Sequence, residues 1–338
     1  MDADDSDAVA AGAIESITTA DVGGRETIQP IAAAVADRQG RNRAMAAAGR
    51  LVEAVGPNET VVVLTGFPIP PTMTPETDGP PGAVSLARAI DGGLDGNVVI
   101  ACDPGAVEAC TATATAGGLS VQDRETALES ARTVAVEAYP TDPGAAASYA
   151  AGLADLDPAA VVAVEKVGPN REGVYHNMAG YDVSEAAAKV GTLYDAVDDD
   201  VLTVAVGDAG NEVGMGVVES TVREEIRYGD ACQCACGAGI ACALDADVLV
   251  PAAVSNWGAH GIVAAASVLL DEPLLHSPAQ ERRMLVQGSL AGAIDGIGGG
   301  TTGWCDGLPT EAHEATVRLL GQVPRSSVHD RGGGELGR

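Results

Sequence analysis

Six short runs rich in β-branched residues recur between Thr60 and Val250: Thr60–Leu64, Asn97–Ala101, Thr133–Glu137, Ala160–Val164, Val201–Val206 and Asp247–Val250. Ala-rich segments of helical length separate them, among them Gly82–Ile90, Ala145–Leu156 and Ser184–Ala196. Strand-then-helix alternation means βαβ units and a parallel sheet, and near-continuous Val runs mean strands buried on both faces. Before the first run lie Ala-rich helical stretches, Ala8–Ile17 and Ile28–Val55, interrupted by Asp21-Val22-Gly23-Gly24-Arg25. After the last run, helices are predicted around Gly258–Leu270, Gln280–Ala293 and Thr310–Leu320. The expected fold is α/β, a mostly parallel sheet flanked by helices, with a helical N-terminal segment over residues 1–56. No repeat and no long linker divides the chain. One domain is therefore expected over residues 1–324, with a Gly-rich, disordered tail over 325–338.

Charge narrows the partners. The 338 residues carry 48 Asp plus Glu against 19 Lys plus Arg, a net −29, and the only lysines are Lys166 and Lys189. Nucleic acid and anionic membrane both require a basic footprint, so neither is expected as a partner. Abundant Asp and Ala with almost no Lys fit a protein adapted to molar intracellular salt. There the Debye length is about 3 Å and an acidic surface no longer repels itself. No run of about 20 apolar residues is present to span a bilayer. The start, Met1-Asp2-Ala3-Asp4-Asp5, lacks the basic region of a secretory signal, and seven cysteines are an odd number. Both features lead to the expectation of reduced thiols in a cytoplasm.

In open parallel sheets, ligands bind beyond the carboxyl ends of the strands. Here the first strand runs into Thr65-Gly66-Phe67-Pro68 and a Pro-rich loop with Glu76, Asp78, Gly79 and Gly82. The strand at Ala160 ends in Glu165-Lys166, followed by Asn170-Arg171-Glu172 and Tyr175-His176-Asn177-Met178. The strand at Val201 ends in Gly207-Asp208-Ala209-Gly210-Asn211-Glu212, and that at Asp247 in Ser255-Asn256-Trp257-Gly258. Asp208, Asn211 and Glu212 offer hard oxygen donors suited to Mg²⁺ or Mn²⁺, although Asp208 and Asn211 could equally cap a following helix. Lys166 stands out as a residue type retained against a strong composition bias, with a salt-bridged lysine as the plain alternative. Arg171 has the planar fork of a carboxylate clamp, or could pair at the surface with Glu172.

Cys232, Cys234, Cys236 and Cys242 suggest a metal cluster, but C-x-C-x-C is poor spacing for zinc, and cysteine also serves as a small buried hydrophobe. One oxygen-ligated divalent site and no thiolate-ligated one are expected. The chain has no G-x-x-x-x-G-K-[ST], no H-E-x-x-H and no G-x-S-x-G, and Gly214-Met215-Gly216 does not complete G-x-G-x-x-G.

Taken together, four segments resemble the D-glutamate cyclase family, in the domain that forms the C-terminal half of its longer vertebrate members. They are Thr65–Pro68 with Glu76–Ala83, Glu165–Met178, Gly207–Gly216 and Ser255–Gly258. The resemblance extends from about Asp21 to Pro324 and implies conversion of D-glutamate to 5-oxo-D-proline and water. Related archaeal stand-alone domains look like manganese-binding proteins with phosphatase activity, so a phosphohydrolase is the alternative, and a non-catalytic metabolite-binding protein a third. On the cyclase reading, Asp208, Asn211 and Glu212 bind a divalent metal, Mn²⁺ or Mg²⁺, and Glu165 is the base. Lys166 is the acid or oxyanion partner, Arg171 and Asn177 hold the α-carboxylate, and Thr65, Ser255 and Asn256 orient the substrate. The partners expected are a small amino-acid substrate and, in a homo-oligomer, further copies of the chain.

Overall fold

Two-sided burial explains the valine runs. In β1 (Thr60–Thr65) all six residues are buried. Val61 and Val63 enter an apolar layer with Ala44, Val84 and Ile262. Val62 and Leu64 enter the opposite layer with Ile31, Val35, Ala146 and Ala150. Each such valine or leucine contributes about 1.5–3 kcal/mol through burial, so the central strand is fixed by helices on both sides.

The computed structural model describes residues 3–323, and the predicted tail lies outside them. After β1 come β2 (Pro68–Ile69) and β3 (Thr74–Pro75), which pair as a small antiparallel ribbon. The other strands are β4 (Asn97–Cys102), β5 (Ser120–Gln122), β6 (Thr133–Ala138), β7 (Ala160–Val164), β8 (Leu202–Gly207) and β9 (Val248–Pro251). Seven of them form one parallel sheet in the order β5-β6-β4-β1-β7-β8-β9. The chain builds outward from β1 through β4 to the edge strand β5, steps back to β6 and then crosses to β7 on the other side of β1. The crevice between the ends of β1 and β7 is therefore the switch point where parallel sheets bind ligands. Thr65 and Val164 are register partners at that point.

Twelve α-helices are assigned among the described residues. They are α1 (Ala3–Thr18), α2 (Ile28–Gln39), α3 (Arg43–Ala54), α4 (Pro80–Leu94), α5 (Val107–Gly117), α6 (Arg124–Glu129), α7 (Pro143–Ala154), α8 (Gly191–Tyr194), α9 (Glu219–Glu225), α10 (Ser255–Leu270), α11 (Pro278–Leu290) and α12 (Thr310–Leu320). None is long and apolar enough to cross a membrane.

The predicted elements differ from the observed ones where backbone hydrogen bonds or caps intervene. α7 and α11 start two residues earlier than predicted because Asp142 and Ser277 cap them, each with proline next in line. The predicted helix Ile28–Val55 is two helices. Gly40 at φ 84° and Asn42 at φ 60° turn the chain between them. The predicted helix Ser184–Ala196 retains only the single turn α8. Its backbone donors are drawn elsewhere: Ala188 N–H to Asp103 at 2.6 Å and Lys189 N–H to Pro140 at 3.1 Å. Alanine propensity yields there to tertiary hydrogen bonds. The short edge strand β5 was not predicted.

Candidate active site

The crevice at the switch point holds a concentration of carboxyl groups. It is a cavity of about 190 Å³, lined by Arg25, Glu76, Glu165, Asn177, Met178, Asp208, Asn211 and Asp306 together with apolar and glycine residues. That volume suits a small metabolite rather than a large ligand. Asp78, Glu165 and Asp208 each present an oxygen within 4.8 Å of the others.

Local structure explains why these groups converge. Glu165 directly follows β7 and has a φ of 45°, a left-handed backbone that costs about 1–3 kcal/mol for such a residue. Its Oε2 accepts a 2.5 Å hydrogen bond from Ser255 Oγ. Asp78 lies at the N-terminus of α10, where Oδ2 accepts from Ser255 N–H and Oδ1 from Asn256 N–H, both at 2.8 Å. The helix dipole favours an anion there. Gly79, at φ 99°, passes so close to Thr65 Oγ1 that an added Cβ would lie 2.6 Å from it. A Cβ on Gly296 would lie 2.3 Å from Glu76 Oε2, so glycine also lets the C-terminal loop close over the acids.

One cation lines this cavity. Arg25, from the turn between α1 and α2, binds both oxygens of Asp208, at 2.6 and 3.2 Å, and Asp306 Oδ2 at 2.7 Å. Five carboxyls, Glu76, Asp78, Glu165, Asp208 and Asp306, therefore share one guanidinium, and their affinity for protons reflects it. Burial pushes Asp78 up to about 8, reinforced by Asp306 and opposed by its backbone donors. Burial raises Asp208 to about 7; Arg25 pulls it down while Glu212 and Asp78 push it up. Burial, followed by Asp208, Glu212, Glu76 and Asp78, holds the Glu165 carboxyl well above the usual range. Burial first, and negative neighbours after it, does the same for Glu76 and Asp306, against the pull of Arg25.

A raised carboxyl pKa favours folding most below the unfolded value of 3.8 and loses that contribution as pH rises through the folded value. In chelator, the melting temperature should therefore fall from about pH 5 to about pH 8, and Asp78→Asn should flatten the decline. Thermal melts across that range are the check; a flat or rising wild-type profile contradicts it.

The predicted site residues divide into two groups. Glu165, Asp208, Asn177 and Asn211 line the cavity. Ser255 reaches it through Glu165. Thr65 Oγ1 is buried beside Gly79 and has no hydrogen-bond partner. Asn211 donates to His176 O at 2.8 Å and leaves Oδ1 buried without a partner.

The other predicted residues are engaged elsewhere. Glu212 accepts from the backbone N–H groups of Asp208, Ala209 and Gly210 at 2.6–2.9 Å, so its carboxylate holds its own loop together. Asn256 Oδ1 accepts from Gly79 and Gly82 N–H, and its amide donates to Thr77 O, tying the Pro-rich loop to α10. Lys166 points away from Glu165, fully buried, into an ion pair with Asp103 and a 3.0 Å bond to Gly66 O. The Arg171 side chain is 62% exposed and pairs with Glu219 on α9. Arg25, Glu76, Asp78 and Asp306 were given no role from the sequence. The signal that could have found Arg25 is a cation in a Gly-Gly turn of a cation-poor chain.

Hard oxygen donors predominate in the cavity, with one buried, unpartnered oxygen on its wall at Asn211 and another beside Gly79 at Thr65. Such a donor set fits a hard divalent cation, which can take the place of the protons that the crowded carboxyls otherwise require.

The cysteines also differ from expectation. Cys242 is buried, as a small hydrophobe would be, but Cys232, Cys234 and Cys236 are only partly buried and gather around His176.

The sequence model of the D-glutamate cyclase-like family, C-terminal part, matches residues 14–321. Human mitochondrial D-glutamate cyclase is 30% identical over 291 residues, covering 82% of this chain and 42% of the human protein. The chain thus spans about two fifths of that relative's length.

Proposed function

The chain belongs to the D-glutamate cyclase-like family, and from that premise we propose that it closes D-glutamate to 5-oxo-D-proline with release of water. The observation that carries the reading is the set of buried carboxyls facing Arg25 in a small cavity at the β1/β7 switch point. Ring closure forms a bond from the α-nitrogen to the carbon of the γ-carboxyl group and breaks one of that carbon's bonds to oxygen. Two protons leave the ammonium, and both depart with the oxygen as water.

Glu165 has the chemistry for that transfer. Its raised proton affinity makes the carboxylate a competent base towards an ammonium and, once protonated, an acid towards the leaving oxygen. Ser255 Oγ–H fixes its orientation. Arg25 is the guanidinium at the cavity, and its fork suits the α-carboxylate better than the exposed Arg171 does. Asp78 and Asp208 would hold a divalent cation, Mn²⁺ or Mg²⁺, with Glu165, Asn211 and Thr65 close by. Such an ion supplies Lewis-acid polarisation of a carboxylate when bound. The backbone donors of Asp78 and the Arg25 contacts of Asp208 keep those two side chains in place.

NMR of D- and L-glutamate with the protein and Mn²⁺ or Mg²⁺ tests the activity, run beside phosphate release from phosphorylated metabolites. Faster ring closure of D-glutamate is expected; phosphate release without ring closure would make the protein a phosphohydrolase. Arg25→Lys keeps the charge but loses the fork and should raise KM about 10–100-fold, the worth of a charge-assisted hydrogen bond. Arg171→Ala removes only an exposed pair and should leave KM within about two-fold. The opposite ranking of the two variants would return the clamp to Arg171.

A further inference from the structure

Away from the carboxyl cavity, the partly buried sulfurs of Cys232, Cys234 and Cys236 form a triangle with edges of 3.3–3.4 Å. His176 Nε2 caps it, 3.2 Å from Cys234 Sγ and 3.5 Å from Cys236 Sγ. All three cysteines are free of disulfides. Four ligand atoms lie within 4.8 Å of one another. A zinc tetrahedron built with Zn–S bonds of about 2.3 Å and a Zn–N bond of about 2.0 Å has edges of about 3.5–3.8 Å. The observed edges fall within a few tenths of an ångström of that figure.

Two further details favour an ion over a chance packing of thiols. The His176 ring is buried with its Nε2 turned towards the sulfurs. The Cys236 backbone N–H points at Cys234 Sγ at 3.4 Å, and the Asn170 amide at Cys236 Sγ at 3.6 Å, the kind of outer donors that support ligating thiolates.

We propose that Cys232, Cys234, Cys236 and His176 form a structural Cys₃His zinc site. C-x-C-x-C is too tight to chelate as two pairs. It suffices as one three-sulfur arm once the fold brings in a histidine from the loop after β7. The ion then joins two loops. Gln233 N–H already donates to Gly180 O at 2.9 Å, and the Gln233 amide bonds Ala179 O. Asn177, Met178 and Ala179, immediately after the histidine, line the carboxyl cavity. Zinc would therefore hold one wall of that cavity without taking part in its chemistry, independently of what the cavity converts.

The test uses the intact protein. Elemental analysis should find one zinc per chain, retained in Asp78→Asn and lost in Cys234→Ser. Replacement by Co²⁺ in the unmutated protein should give thiolate-to-cobalt charge-transfer absorption, a signature that carboxylate ligands do not produce. That spectrum decides the matter even where Cys234→Ser fails to fold. Stripping the ion should lower the melting temperature, and adding zinc should restore it. No charge-transfer band with Co²⁺ while the three thiols remain titratable overturns the proposal. So does iron accompanied by equimolar inorganic sulfide.

Discussion

Glu165→Gln should lower the turnover of D-glutamate by about 10²–10⁴-fold, the usual worth of a general acid–base group, while leaving the protein as stable as before or more so. The glutamine keeps the size of the side chain and an oxygen for Ser255 Oγ–H to bond. It removes one ionisable group from a buried cluster that already crowds Asp208, Glu212, Glu76 and Asp78 around it. Relief of that crowding means that lost activity cannot be put down to lost structure. Single-turnover ring closure followed by NMR, beside a thermal melt of the same sample, gives both readouts. Turnover that survives the substitution would leave the reaction possible but assign the proton transfer to another carboxyl, with Glu76 and Asp306 the next to test. An unfolded variant would show that the carboxylate holds the strained backbone at φ 45° in place rather than serving chemistry.

The sequence made the sheet and the strand-end loops legible because both rest on local patterns. Valine runs mark doubly buried strands whatever surrounds them, and the loop after each strand is read by continuation. The cavity residues that escaped notice come from distant parts of the chain. Arg25 sits in the turn between two N-terminal helices, and Asp306 in the loop before α12, yet Arg25 binds both Asp208 and Asp306. No spacing rule links them. Glu212 and Asn256 misled for a different reason. A carboxylate or amide in a Gly-rich loop is as readily taken up by that loop's own N–H groups as by a ligand, and only geometry separates the two outcomes. The thiols failed in the same way as Arg25. Spacing among cysteines alone cannot show a histidine delivered from another loop.

Lys166 is the sharpest case, because its scarcity suggested chemistry and its surroundings show a buried ion pair. Its ammonium is fully buried, paired with Asp103 and bonded to Gly66 O at 3.0 Å. Asp103 in turn accepts from Ala188 N–H at 2.6 Å. The ends of β1, β4 and β7 and the irregular segment before α8 are thus joined through one buried ion pair. Truncation by Lys166→Ala leaves the Asp103 carboxylate buried and unpaired, which should cost about 3–5 kcal/mol. Removing both charges in Lys166→Met with Asp103→Asn, which keeps an oxygen for Ala188 N–H, should recover most of that, since a buried ion pair contributes little net stability. Urea denaturation of the two variants and the parent measures both differences. The double variant should also keep its ring-closing activity within about ten-fold, because neither group reaches the substrate cavity. A double variant that folds as well as the parent yet turns over nothing would show that the lysine acts on the substrate, with the ion pair as its resting state.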